Sequence, residues 1–154
     1  MTEAELQKRI AYQFGLINGN IVLPNILLTV GRVGHYEADL LYITPKRYCT
    51  EVEIKISMAD FKADFKKKIY HNSDMVRNLY YAFPHELYQD NSAEINQILS
   101  DSDTGVMVVK ESQGRCVRIL RNSKPRRDIK PITEQQLYEL LRIGCMKWYT
   151  ANRM

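Results

Sequence analysis

No apolar run in the sequence approaches the roughly 18 residues of a membrane-crossing helix, and no basic stretch leads into an apolar signal core. Neither membrane insertion nor standard secretion is expected, and the expected location is the cytoplasm. Cysteine is scarce: Cys49, Cys116 and Cys145 are odd in number and far apart. They make no zinc or redox spacing and read as buried thiols of a reducing compartment. His71 and His85 have neither metal-motif nor triad spacing, so neither is given a role. No Gly-rich turn follows the first apolar strand and no second βαβ half is present, which excludes a Rossmann fold. Helix-turn-helix and zinc-finger signals are also lacking, so restriction-like sequence readout is not expected. There is no internal repeat or low-complexity tract.

What is present suits one globular domain. The 154 residues suffice for a core but are short for two domains. We expect a single domain over 1–154, with a basic connection and terminal helix near 121–151. The 45% hydrophobic and 26% charged fractions are those of a folded protein. The formal charge of +4 is a weak pointer to a polyanion, and its placement says more. Arg115, Arg118, Arg121, Lys124, Arg126, Arg127 and Lys130 stand against the single acid Asp128, and Lys62, Lys66, Lys67 and Lys68 are partly offset by Asp60 and Asp64. Such patches either hold phosphates in a salt-dependent way or are solvated faces.

Local signals give the element order. Thr2 with Glu5 forms a capping-box pattern, and Leu6, Ile10, Phe14 and Ile17 recur at helical spacing, predicting a helix over 3–17. Strands follow over 26–30, 35–43 and 48–56, the last two joined closely enough to be antiparallel. Ser57 with Asp60 opens a second helix, with Phe61, Phe65 and Ile69 as its apolar stripe and an end near Tyr70 or His71. A shorter helical piece is predicted around 73–78, then a buried strand over 79–83 closed by Pro84. One weak helix lies between 89 and 103, and a hairpin pairs 105–110 with 114–120. Thr133 with Gln136 caps a last helix, along which Leu137, Leu140, Leu141, Gly144 and Trp148 share a face; Gly144 allows close packing and Trp148 is read as a packing residue. The order predicts an α/β fold, a mixed sheet flanked by helices.

The third strand carries the chemistry. Its period of two puts Glu51, Glu53 and Lys55 on one face and Val52, Ile54 and Ile56 on the other. Glu37 and Asp39 share a face of the preceding strand, so antiparallel pairing brings Asp39 beside Glu53. Crowded carboxylates are costly without a cation. A divalent ion such as Mg²⁺ takes oxygen ligands and activates water, and a lysine two residues from one ligand reaches the same cleft. The same alternation also describes an ordinary solvent-facing strand, and both readings stand on spacing alone.

Glu37-Ala38-Asp39-Leu40-Leu41, followed by Glu53-Ile54-Lys55, resembles the core of the PD-(D/E)XK nuclease-like superfamily. Gly31-Arg32 with Ala38-Asp39, Glu53-Ile54-Lys55-Ile56-Ser57, Ala59-Asp60-Phe61-Lys62-Ala63-Asp64 and Tyr80-Tyr81-Ala82-Phe83-Pro84 are more specifically similar to MmcB-like DNA-repair proteins. Gly105 to Val109 resembles the next strand. The chain departs from that pattern by the Val33 to Glu37 insertion and by Asn25, where related chains carry an acid. The resemblance implies a restriction-endonuclease-like fold, Asp39 and Glu53 as ligands of Mg²⁺ or Mn²⁺, and Lys55 as catalytic lysine. It implies hydrolysis of DNA, a repair or recombination intermediate, or else a non-catalytic DNA-binding or complex-forming role.

Glu5 is the acid of the first helix that could complete such a site, with Glu3 behind it, but its place as the N3 partner of Thr2, or plain solvation, is the preferred reading; Glu37 is likewise a neighbouring ligand or, by preference, a simple charged strand residue. Lys62, Lys66, Arg77, Arg126 and Arg127 are candidate contacts to DNA phosphates, or solvated residues. Asp60 is explained by capping, and Asp64 with Lys68 reads as an ordinary i,i+4 surface pair. A homodimer or repair-complex partner would extend the DNA footprint of so small a domain.

Overall fold

The computed structural model describes residues 1–66 and 71–152. The Thr2 hydroxyl accepts from Glu5 N while the Glu5 carboxylate accepts from Thr2 N, so a full capping box starts α1 (Glu3–Ala11). Leu6 and Ile10 are its buried stripe. The helix continues as a π-helical stretch over Tyr12–Ile17, which stacks Phe14 on Tyr42 at 5.0 Å.

Six strands follow, and their order in the sheet is their order in the chain: β1 (Ile21–Val30), β2 (Gly34–Ile43), β3 (Cys49–Ile54), β4 (Val76–Pro84), β5 (Gly105–Val109) and β6 (Val117–Arg121). The first three form an antiparallel meander, β4 and β5 run parallel to β3, and β6 returns antiparallel. Parallel neighbours need crossovers. The segments containing α2 (Met58–Asp64) and α3 (His85–Ile98) supply them, and α4 (Glu134–Ala151) closes the chain. The architecture is the expected one: a six-stranded mixed sheet flanked by helices, consistent with a restriction-endonuclease-like α/β fold.

Alternation sorts the core into two sides. Leu40, Val52, Ile54, Tyr80, Ala82 and Met107 lie under Leu6, Ile10 and Phe14. On the opposite side, Leu23, Leu41 and Ile43 pack with Ile132 and Leu140 at one end of the sheet, and Tyr81, Phe83 and Val106 pack with Phe61, Ile95 and Leu99 at the other. The odd-numbered residues of β3 stand between these last two clusters.

Several local expectations are corrected. The second helix ends at Asp64, so Phe61 reaches the core and Phe65 is exposed; Ile69 and Tyr70 lie outside the described residues. The helical piece around 73–78 is instead a turn and the start of β4, where Val76 pairs with Cys49. Ladder hydrogen bonds outweigh the local polar signals there. β1 begins at Ile21 because it is an edge strand, where Pro24 removes no inner ladder bond. Trp148 is 64% exposed rather than packed. Gly144 does mark a close approach: a Cβ there would stand 2.4 Å from Leu23 Cδ2. Cys49 and Cys116 are buried, but Cys145 is exposed.

Candidate metal centre

Both faces of β3 are covered, the charged one included. Glu51, Glu53 and Lys55 are 0%, 6% and 3% exposed. The solvent-facing reading of this strand is thereby overturned: burial on this scale is tolerated only when charges are paired and hydrogen-bonded.

The pairing is extensive. Lys55 Nζ lies 3.2 Å from Glu53 Oε1, 3.2 Å from Asp64 Oδ1 and 3.8 Å from Asp60 Oδ2. Asp64 Oδ2 accepts from the Tyr81 hydroxyl at 2.5 Å and contacts His71 Nε2. The other ring nitrogen, Nδ1, is 2.5 Å from Glu51 Oε1, and Glu51 Oε2 accepts from the Tyr36 hydroxyl at 2.5 Å. With a carboxylate against each nitrogen, the His71 ring carries both protons as an imidazolium. Burial alone would lower its pKa, but the hydrogen bonds to Asp64 and Glu51 push it up to about 10. Burial raises the Asp64 carboxyl and is outweighed by His71, Tyr81 and Lys55, which hold it well below the usual range. Burial likewise disfavours the Lys55 ammonium, and Glu53 and Asp64 more than restore it.

Asp39 sits where β2 and β3 part. Their pairing runs from Ile43↔Cys49 to Leu40↔Val52 and ends. Past that point Ile54 N donates to Asp39 Oδ2 at 2.8 Å in place of a strand partner. The β1–β2 ladder is interrupted at the same level, between Pro24↔Leu40 and Ile26↔Ala38, where Asn25 has φ 49. From α1, Gln7 Nε2 reaches this break and donates to Asp39 O at 2.7 Å and Asn25 Oδ1 at 3.0 Å. Burial chiefly, with the charge of Glu3, pushes the Asp39 carboxyl up to about 6. Burial and Asp39 push Glu53 up to about 8. Glu53 Oε2 is buried without a hydrogen-bond partner among the described residues.

Glu51, Glu53 and His71 present ligand atoms within 4.8 Å of one another, a buried acidic and histidine cluster capable of coordinating a metal ion, in which His71, held as an imidazolium by its two carboxylates, ligates only after losing a proton. Four carboxyl groups, of Glu51, Asp64, Glu53 and Asp39, stand around two cationic side chains, Lys55 and His71. His71 already joins Glu51 to Asp64. Asp39 and Glu53 are the two carboxyls that burial pushes up, to about 6 and about 8. A hard cation such as Mg²⁺ suits carboxylate oxygens, and the orphaned Glu53 Oε2 is the atom that lacks a partner.

Of the other sequence-derived candidates, Arg126 contacts the cluster through the His71 backbone, and none of the rest supplies one of its ligand atoms. Glu37 is exposed on β2, opposite Leu27. Glu5 is exposed and engaged with Thr2, and Glu3 is the acid of α1 whose charge acts on Asp39. Lys62 pairs with Glu94, and Lys66 and Arg127 are exposed. The Arg77 guanidinium lies 4.0 Å over the Tyr48 ring. Arg126 donates to His71 O at 2.6 Å and to Ser73 O at 3.4 Å.

Tyr36, Glu51, Asp64, His71 and Tyr81 join the cluster without having been assigned to it from sequence. Glu51 was legible as the next residue on the charged face of β3. Asp64, expected to pair with Lys68 at the surface, is 3% exposed; Lys68 lies outside the described residues. Nothing local marks His71.

The structure is a six-stranded mixed sheet flanked by helices, consistent with a restriction-endonuclease-like α/β fold, with a buried acidic and histidine cluster capable of coordinating a metal. No family model matches the chain, and no curated protein does. Among solved structures it is similar to a protein of unknown function from Silicibacter pomeroyi, at 16% identity and a TM-score of 0.63, covering 98% of this chain and 89% of that one. A second protein of unknown function, AF1548, aligns at 11% identity and a TM-score of 0.41, over 90% of this chain and 77% of that one. The first likeness is one of fold.

Proposed function

We propose that this protein hydrolyses phosphodiester bonds in DNA with a divalent ion, Mg²⁺ or Mn²⁺, held by Asp39 and Glu53. The observation that carries the reading is the buried Glu53 Oε2, which has no hydrogen-bond partner among the described residues although Lys55 meets the other oxygen of the same carboxyl. Bound there, the ion supplies Lewis-acid polarisation of a phosphoryl oxygen and of water. Asp39 is oriented by the Ile54 amide, and Glu53 by Lys55. The Lys55 ammonium is the fixed positive group beside Glu53 that can stabilise negative charge as it develops on the phosphoryl group. The resemblance to MmcB-like DNA-repair proteins directs the choice of substrate to a repair or recombination intermediate. Lys66 and Arg127 are among the exposed basic side chains that would approach its backbone.

One observation favours the rival reading, a DNA-binding or complex-forming protein that does not cut. Glu53 and Lys55 are 6% and 3% exposed, so a phosphate must reach residues that the fold covers. Purified protein is to be assayed with Mg²⁺ and Mn²⁺ on linear, nicked, flap and branched DNA and on matched RNA. Metal-dependent cleavage that Asp39→Asn abolishes while DNA affinity is retained supports hydrolysis. Wild-type protein that binds these DNAs and cuts none of them leaves the rival.

A further inference from the structure

The ammonium of Lys55 ends a flexible stem, and what aims it lies outside the Asp39–Glu53 pair. Asp64 divides its two oxygens: Oδ1 takes Lys55 at 3.2 Å, and Oδ2 takes Tyr81 and His71. Asp64 is the last residue of α2, whose start is set by the Ser57 hydroxyl accepting from Asp60 N. His71 in turn is braced against Glu51, itself fixed by Tyr36. A second, independent feature is the backbone at His71, which has φ 64, a left-handed conformation uncommon for a residue with a side chain. Such strain persists only where surrounding contacts impose it, and it concentrates at working sites. The contact here is Arg126, whose guanidinium takes the carbonyls of His71, Ser73 and Val76.

We infer that Asp64 and His71 are positioning residues that hold the Lys55 ammonium against Glu53, and that Arg126 holds the His71 turn in place for them. This deepens the hydrolytic reading and rests on it for the role of Lys55. Without His71, two buried carboxylates lose the cation between them, and Asp64 is left with the Tyr81 hydroxyl alone on Oδ2 to set its orientation. A free lysine stem then samples positions away from Glu53, and misplacement by about 1 Å can lower a rate by roughly 10²-fold.

The experiment observes Lys55 directly. Nitrogen-15 NMR of its ammonium group is to be recorded for wild type, Asp64→Asn, His71→Asn and Asp39→Asn, alongside Mn²⁺ affinity by calorimetry and DNA cleavage. Asparagine at 71 accepts left-handed backbone and so isolates the ring. If it unfolds the protein, Glu51→Gln combined with His71→Asn removes one charge of each sign. The expected result is a slowly exchanging Lys55 signal in wild type and in Asp39→Asn that is lost or shifted in the other variants. Their cleavage falls by about 10²-fold with Mn²⁺ affinity unchanged. An unaltered Lys55 signal in folded Asp64→Asn and His71→Asn proteins overturns the inference. Mn²⁺ affinity that falls in step with cleavage overturns it too, by making these residues ligands. A wild type that cleaves nothing while its Lys55 signal responds as described sinks hydrolysis and supports the positioning contacts.

Discussion

Glu53 and His71 show how one buried neighbourhood sets opposite demands on two groups. Glu53 is raised from 4.5 to about 8, so its folded state binds a proton more tightly than its unfolded state. That contribution is fully present below the unfolded value and is lost as pH rises towards about 8. His71, raised from 6.5 to about 10, acts in the same direction over a higher window. Metal-free protein should therefore lose stability as pH rises across these windows. Urea denaturation at a series of pH values is expected to show the loss beginning later in Glu53→Gln, with the His71 part remaining. Asp64, whose pKa is lowered, works the other way and loses its contribution in acid. On the proposed reading a cation at Glu53 would displace its proton, so Mn²⁺ affinity should rise with pH up to about 8, and calorimetry can follow it.

At the scale of the element, the site depends on strands that part at a defined level. β2 stays with β1 after leaving β3, and the freed Ile54 amide takes Asp39. Elsewhere the sheet is tightly shut. A Cβ on Gly105 would stand 2.3 Å from the Tyr80 ring and 2.7 Å from Arg121 O, wedging β5 against both neighbours. Gly105→Ala should cost about 1–3 kcal/mol in chemical denaturation, as overpacking does. Capping-box patterns at Thr2 and Thr133 and the alternation along β3 made α1, α4 and the central strand legible in the sequence, because these signals lie within a few residues. The end of α2 and the start of β4 were not legible. There, pairing of Val76 with Cys49 overrides what the local residues prefer.

For the molecule as a whole, the formal net charge is +4 although an acidic centre is buried within it, and on the proposed reading the cation and the polyanion are told apart by their effects on stability and by their salt dependence. A cation that binds only the folded state stabilises it by about 2.7 kcal/mol at one hundred times its Kd. Mn²⁺ should therefore raise the melting temperature of wild type and leave that of Asp39→Asn unchanged, as thermal denaturation by circular dichroism can read. DNA binding, by contrast, should weaken steeply with added salt in both proteins.

The sequence by itself determined the class of fold and the face of β3 on which Glu53 and Lys55 stand, since capping and alternation are local properties of the backbone. Asp39 could be placed beside Glu53 from strand pairing alone. Only the tertiary structure decided that this face is closed to solvent, and that Asp64, His71, Tyr36 and Tyr81 converge on it from four other segments. Their meeting is set by how distant elements pack. Burial then turns an alternating strand into a network in which each charge must find a partner, and Glu53 Oε2 is left without one among the described residues.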